Sequence, residues 1–168
     1  PHSGAAYEDA FLRKSVLDGM AIRSSEDAFV DKLFDAVPLM GAPLLVADVP
    51  RAFVDLNRAA DELDPALIDS ARGASHNPRI SSGLGVIPRV VANGRAIYRG
   101  KIPMAEARLR LAEHWHPYHR ALRGLLDEAR VQFGSTILID CHSMPHEAID
   151  QAGGASNRPD IVLGDRFG

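Results

Sequence analysis

Thr136-Ile137-Leu138-Ile139-Asp140-Cys141-His142-Ser143-Met144-Pro145 is the stretch on which the reading of the fold turns. An unbroken apolar run ends in a polar cluster, and Gly134 separates it from a long helical pattern in front. A run this short between turn residues reads as a buried strand over residues 135–140. In open α/β sheets, ligands gather at the carboxyl ends of strands. His142 is therefore expected at the mouth of a sheet, where a neutral imidazole is a good zinc ligand. Asp140 is placed to accept a hydrogen bond that fixes a histidine tautomer. A strand followed by an ordinary polar turn, with His142 merely exposed, accounts for the same residues.

Outward from this stretch, residues 104–133 carry Leu109, Ala112, Trp115, Leu122, Leu125, Leu126 and Ala129 at near-helical spacing. They predict a long helix that Pro117 kinks or divides. Asn93-Gly94 predicts a tight hairpin between residues 86–91 and 95–98, because both can take positive φ. Residues 61–82 are rich in Asp, Pro, Gly, Ser and Asn and read as an irregular connection. Residues 44–47 and 52–56 read as short strands. A helix is expected after Ser24-Ser25, with Phe29, Val30, Leu33 and Phe34 as one buried stripe and Pro38 as its stop. Residues 6–20 suit a further short helix. Helices alternating with short apolar strands predict an α/β fold, a mixed sheet flanked by helices.

The 168 residues suit one domain with a sizeable core. A formal net charge of −3 argues against nucleic acid as a partner. No apolar run reaches the ~20 residues that span a bilayer, and charges throughout the first twenty residues leave no signal-peptide core. The single cysteine, Cys141, excludes an internal disulfide and fits a reducing, cytoplasmic setting. The start at Pro1 and the stop after Leu163-Gly164-Asp165-Arg166-Phe167 suit either a piece of a longer chain or a processed one.

A hydrolytic zinc site needs three protein ligands and an open position. His2, Asp27 and His142 can supply them, but no short spacing ties them together, so spacing alone leaves the site open. Asp55-Leu56-Asn57-Arg58 closes a predicted strand, and an arginine fork there suits a carboxylate. A surface ion pair with Asp55, Asp61 or Glu62 explains Arg58 equally well. Arg51 and Arg89 are weaker cases of the same kind. His114, His116 and His119 crowd Pro117, yet His114 and His119 lie five apart. Aromatic packing is the simpler explanation. Cys141 and His142 are neighbours on an expected strand and so face opposite ways, which disfavours a thiol–imidazole pair.

Six segments then occur in one order: Pro1-His2-Ser3-Gly4, Ser25-Glu26-Asp27-Ala28-Phe29-Val30-Asp31, Pro50-Arg51-Ala52-Phe53-Val54-Asp55-Leu56-Asn57-Arg58, Gly83-Leu84-Gly85-Val86-Ile87-Pro88-Arg89, Pro117-Tyr118-His119 and Ile139-Asp140-Cys141-His142-Ser143-Met144-Pro145. Together they resemble the N-formylglutamate amidohydrolase family over essentially the whole chain. The resemblance implies a phosphorylase/hydrolase-like α/β fold akin to that of zinc carboxypeptidases, in one amidohydrolase domain over residues 1–168, incomplete at both ends. It implies zinc as cofactor, with His2, His142 and an acidic residue of Ser-Glu-Asp as ligands. Asp27 is preferred to Glu26 as the steadier feature of the family.

Asn57-Arg58 is similar to the pair with which zinc carboxypeptidases hold a substrate carboxylate, and Arg89 is assigned a second one. The implied reaction is hydrolysis of the linear amide of N-formyl-L-glutamate to formate and glutamate, a step of histidine degradation. Rivals are an amidase or peptidase of the same fold acting on another acyl amino acid or a cell-wall fragment, and a non-catalytic small-acid binding domain. Family members use a downstream glutamate to activate water. Glu147 and Asp165 are poor stand-ins, so the base is expected beyond Gly168.

Overall fold

The structure, a computed structural model, describes residues 2–72, 77–143 and 159–164. Its longest feature is one helical rod made of α5 (Met104–Arg110), a π turn (Leu111–Trp115) and α6 (His116–Phe133). Pro117 therefore does not divide the rod. Proline has no N–H for the carbonyl four residues back and crowds it, and the rod meets this with a wider turn just ahead of the ring. Gly134 ends α6 in a left-handed conformation at φ 77°, its N–H reaching Arg130 O at 2.9 Å.

The expected mixed sheet is absent. Among the described residues there are no strands, only the isolated bridges Ser15↔Tyr98, Ile68↔Ile102 and Val90↔Ala96. The stretch 135–140, expected as a buried strand, runs without regular structure, and Ile137 and Ile139 are 87% and 77% exposed. A strand exists only through its neighbours, and among the described residues no backbone hydrogen bond holds residues 136–140. Residues 44–47 are likewise unpaired. Residues 52–56 begin in a turn, where Phe53 N and Val54 N both reach back to Pro50 O.

The core is a stitched set of loops instead. Asp55 N bonds Val86 O at 2.8 Å, Val86 N bonds Glu62 O at 2.9 Å, and Ile102 N bonds Leu67 O at 2.8 Å. These links enclose Val54, Leu56, Leu67, Ile68, Ile87 and Ile97. Pro50, Pro65, Pro88 and Pro103 punctuate these segments, each removing a donor that a ladder would need. At Asn93-Gly94 the turn forms but the expected flanking strands do not, since the single bridge Val90↔Ala96 joins residues 86–91 to 95–98. Val91 N bonds Arg95 O at 2.9 Å, and Asn93 and Gly94 both take positive φ, with Ala92 lengthening the loop.

The amino-terminal helices are shorter than the pattern suggests. Residues 6–20 yield only α1 (Asp9–Lys14) and the start of α2 (Gly19–Ile22), which Asp18 caps. Ser24 and Ser25 do not cap a long helix; they lie in a 3₁₀ turn (Arg23–Ser25). Phe29 then turns left-handed at φ 63°, leaving α3 (Val30–Leu33) as a single turn. Val30 is buried, but Phe29 and Leu33 are exposed, so the expected stripe is broken by that one residue. Pro38 opens a second 3₁₀ turn (Val37–Met40) rather than ending a helix. Asn77 caps the short α4 (Pro78–Ser81).

One buried cation braces this loop core. Arg110, at the end of α5, lies over the Phe53 ring at 4.0 Å and beside Phe11 and Tyr98. Its Nη1 donates to Tyr98 Oη at 2.8 Å and to Phe53 O at 3.2 Å, while Glu106 neutralises it one turn back. The segment 50–58 is thereby fixed to the rod by charge as well as by packing.

Candidate functional site

The segment 50–58 carries a chain of alternating charges. Asp55 is buried; its carboxylate accepts from Asn57 N at 3.0 Å and Arg51 Nε at 3.2 Å, and it lies 3.7 Å from Arg58 Nε. Arg51 extends onward to Asp27, at 3.5 Å from Oδ2. Burying these carboxylates is tolerable because each is paired and hydrogen-bonded.

Asp27, 1% exposed, is where distant parts of the sequence meet. His142 Nδ1 lies 2.9 Å from its Oδ2, and Ser143 N points at its Oδ1 from 3.4 Å. His142 Nε2 faces Asp140 Oδ2 at 3.0 Å, as expected of a carboxylate that fixes the tautomer. The Asn57 side chain reaches the same nitrogen at 3.1 Å. Hydrogen bonds to Asp140 and then Asp27 favour the imidazolium and raise the pKa of His142 to about 9, and the same contact holds Asp140 below the usual range.

His2 enters from the other side. It is 5% exposed, and neither ring nitrogen has a hydrogen-bond partner among the described residues; Asp55 Oδ1 lies 3.5 Å from Nδ1. Burial lowers its pKa against the pull of Asp55, which favours the neutral ring. Gly4 lets the segment sit this deep, since a Cβ there would run into the carbonyl oxygens of Val49 and Asp48.

The expected site residues thus fall into two groups. Asp27, Asn57 and His142 are in mutual contact through His142, and His2 and Arg58 join them through Asp55. Glu26 turns away toward Arg23, at 3.2 Å, and adds to the effect of partial burial that raises the pKa of the half-buried Tyr7. Arg89 pairs with buried Asp64 at 2.8 Å, outside the cluster. It shares a turn with Arg58, however: Arg89 Nη2 reaches Ser81 O at 3.4 Å and Arg58 Nε reaches Leu84 O at 3.2 Å. Glu147 and Asp165, weighed as the base, lie outside the described residues, as do Met144-Pro145.

Sequence reasoning underrated Arg51, which bridges the two central aspartates; its place four residues before Asp55 and seven before Arg58 was the available signal. It also missed the helix residues that hold the segment from behind. Trp115 Nε1 donates to Arg58 O at 2.8 Å, and His119 Nε2 to Leu56 O at 2.9 Å. Beside the cluster opens a cleft of about 480 Å³, whose polar lining includes His2, Asn57, His119 and Asp140.

The donor set suits zinc, two imidazoles and a carboxylate, and the orphaned ring of His2 is what a missing electrophile would leave behind. Yet among the described residues no three His, Cys, Asp or Glu side chains are gathered into one metal-holding group. The contact made is the pair Asp27–His142, with His2 reaching it only by way of Asp55 and Arg51.

A family model for N-formylglutamate amidohydrolase matches residues 1–168. The chain belongs to that family. Relatives include an N-formylglutamate deformylase of Pseudomonas aeruginosa, 33% identical over all of this chain and 58% of its own length. Another is the N-formylglutamate deformylase of Pseudomonas putida, 32% identical over 86% of this chain and 49% of its own length. The chain thus spans about half the length of the curated relatives it matches. The crystal structure of an N-formylglutamate amidohydrolase from Ralstonia eutropha JMP134 superimposes with a TM-score of 0.82 at 34% identity, over 95% of this chain and 57% of that one. This family member therefore follows that structure's path. No helix among its described residues is long and apolar enough to cross a membrane.

Proposed function

We propose that this protein takes part in the zinc-dependent hydrolysis of N-formyl-L-glutamate to formate and glutamate. The observation that carries the reading is the convergence of Asp27, Asn57 and His142, from three distant segments, beside His2, whose ring nitrogens have no hydrogen-bond partner among the described residues. The names of the Pseudomonas relatives support the substrate.

His2, Asp27 and His142 would hold the metal. His142 turns Nδ1 toward Asp27 and Nε2 toward Asp140, so it would have to give up a ring proton to serve as a ligand. Zinc, when bound, supplies Lewis acidity to the formyl carbonyl and to water. Arg58, backed by Asp55, presents its fork to a glutamate carboxylate, and Asn57 adds an amide donor beside it. Arg89, across the Ser81–Leu84 turn, is the proposed holder of the second carboxylate. Two fixed anchors on the amino acid align the amide and remove much of its freedom before reaction. Arg51 bridges Asp27 and Asp55 and holds both in place. The cytoplasmic setting rests on the single cysteine alone.

Elemental analysis and calorimetry test the site together with formate release. His142→Ala or His2→Ala should abolish stoichiometric zinc, Asp27→Ala should weaken it, and Glu26→Ala should matter less. Arg58→Ala should leave zinc intact and weaken glutamate by roughly 2–5 kcal/mol, the usual result of breaking a desolvated charge pair. Full zinc occupancy in the His142→Ala protein would sink the metal site. Unchanged glutamate affinity in Arg58→Ala would sink the clamp.

A further inference from the structure

The histidine-rich run Trp115-His116-Pro117-Tyr118-His119 has no role so far beyond packing. Its contacts are more specific than packing requires. Two carbonyls of the proposed substrate segment, Leu56 O and Arg58 O, bracket Asn57, and each takes one ring N–H from the rod, His119 Nε2 at 2.9 Å and Trp115 Nε1 at 2.8 Å. The donor rings are locked to each other at 4.0 Å, while His116 stands edge-on to Trp115 and Tyr118 edge-on to His119. His114 packs edge-on against Phe53 a few residues earlier, so the rod follows the segment along its back.

The π turn ends at Trp115, two residues ahead of Pro117, and the two donors, four residues apart on one face of the rod, meet carbonyls two residues apart. Such turns recur at functional sites because they re-aim side chains that a regular helix would direct elsewhere.

We propose that Trp115 and His119 are positioning residues for substrate binding: by anchoring the carbonyls on either side of Asn57, they aim the Asn57 amide and the Arg58 guanidinium at the substrate carboxylate. The inference rests on the carboxylate-clamp reading of Arg58. Neither ring needs to touch substrate for this. A bidentate contact tolerates little angular error, so a loosened backbone at 56–58 weakens binding without altering the reacting groups.

The test is steady-state kinetics on the zinc-loaded protein with N-formylglutamate. Trp115→Phe and His119→Phe keep aromatic bulk and delete the donor; each should raise KM about three- to tenfold, the range for one lost hydrogen bond, with kcat and zinc content little changed. His119→Gln, whose amide nitrogen can donate to Leu56 O, should restore most of the loss and carries the comparison if Trp115→Phe does not fold. In an Arg58→Ala background the effect of His119→Phe on KM should shrink, since the charged one of the two aimed groups is gone. A KM defect undiminished in that background, a Gln variant no better than Phe, or a loss confined to kcat would overturn the proposal. Arg58→Ala alone, measured in parallel, isolates failure of the clamp: an unchanged KM there removes the clamp and this inference with it.

Discussion

Replacing Asp55 by alanine removes the anion on which two guanidinium groups and one backbone amide converge. Arg51 and Arg58 side chains are only 23% and 16% exposed, so both lose a counter-ion they cannot fully replace with water. Breaking a fully buried pair from one side typically costs about 3–5 kcal/mol, and the partial exposure of both arginines brings this to the lower end. The Asn57 amide, which donates to Asp55 Oδ1 at 3.0 Å, adds about 1 kcal/mol when left without its acceptor. The expected loss is about 3–4 kcal/mol, or roughly 6–16 °C in Tm for a chain of this size. Asp55→Asn keeps an acceptor and loses only the charge, so it should cost about 1 kcal/mol less. Urea unfolding followed by the fluorescence of Trp115, the one tryptophan, measures both. Equal losses below about 1 kcal/mol in the two variants would show that solvent already carries the arginine charges, and the account of Asp55 as the hub would be wrong.

Two further outcomes follow from the geometry. Gly4→Ala places a methyl group against the carbonyls of Val49 and Asp48, so it should displace the His2 segment and reduce zinc uptake although no donor atom is touched; unaltered uptake would show that the depth of His2 is irrelevant. Burial alone would raise the pKa of Glu106, but bonds from Lys14 and Arg110 prevail and hold it below the ordinary value. A depressed folded-state pKa gives stability that is present above the unfolded value and fades as pH falls through the folded one. Glu106→Gln should therefore flatten the acid limb of the stability curve, and a limb of unchanged slope would count against the pairing.

The legible part of the site lay in chemistry carried by single residues. Asp140 beside His142 and the Asn57-Arg58 pair could be argued from residue types at expected strand ends, whereas the preference for Asp27 over Glu26 came from the family resemblance. The structure turns Asp27 inward and Glu26 toward Arg23. Illegible were interactions that depend on how backbone segments lie across one another. Arg51 needs the turn at residues 50–54 to reach both aspartates, and Trp115 and His119 need the rod to lie across residues 56–58 to find two carbonyls. Local pattern also failed where pairing decides the outcome. Residues 135–140 have every mark of a buried strand, yet strandness belongs to a pair, and composition cannot supply the partner. Phe29 shows the converse, since nothing in a bulky aromatic announces a left-handed backbone.

That unpaired stretch leads directly to His142. With no described backbone hydrogen bond on residues 136–140, their amides should exchange with deuterated solvent at close to the rates of an unstructured peptide. The amides of Val86 and Ile102, bonded within the core, should be slowed. Among the described residues, the far end of this stretch is held at His142 and Ser143 through Asp27 and Asn57. Capturing a ligand there would entail ordering the stretch, so apparent affinity would carry an entropic penalty set by residues that never touch the ligand. Slowed deuterium uptake at residues 136–140 on zinc addition would make that penalty visible.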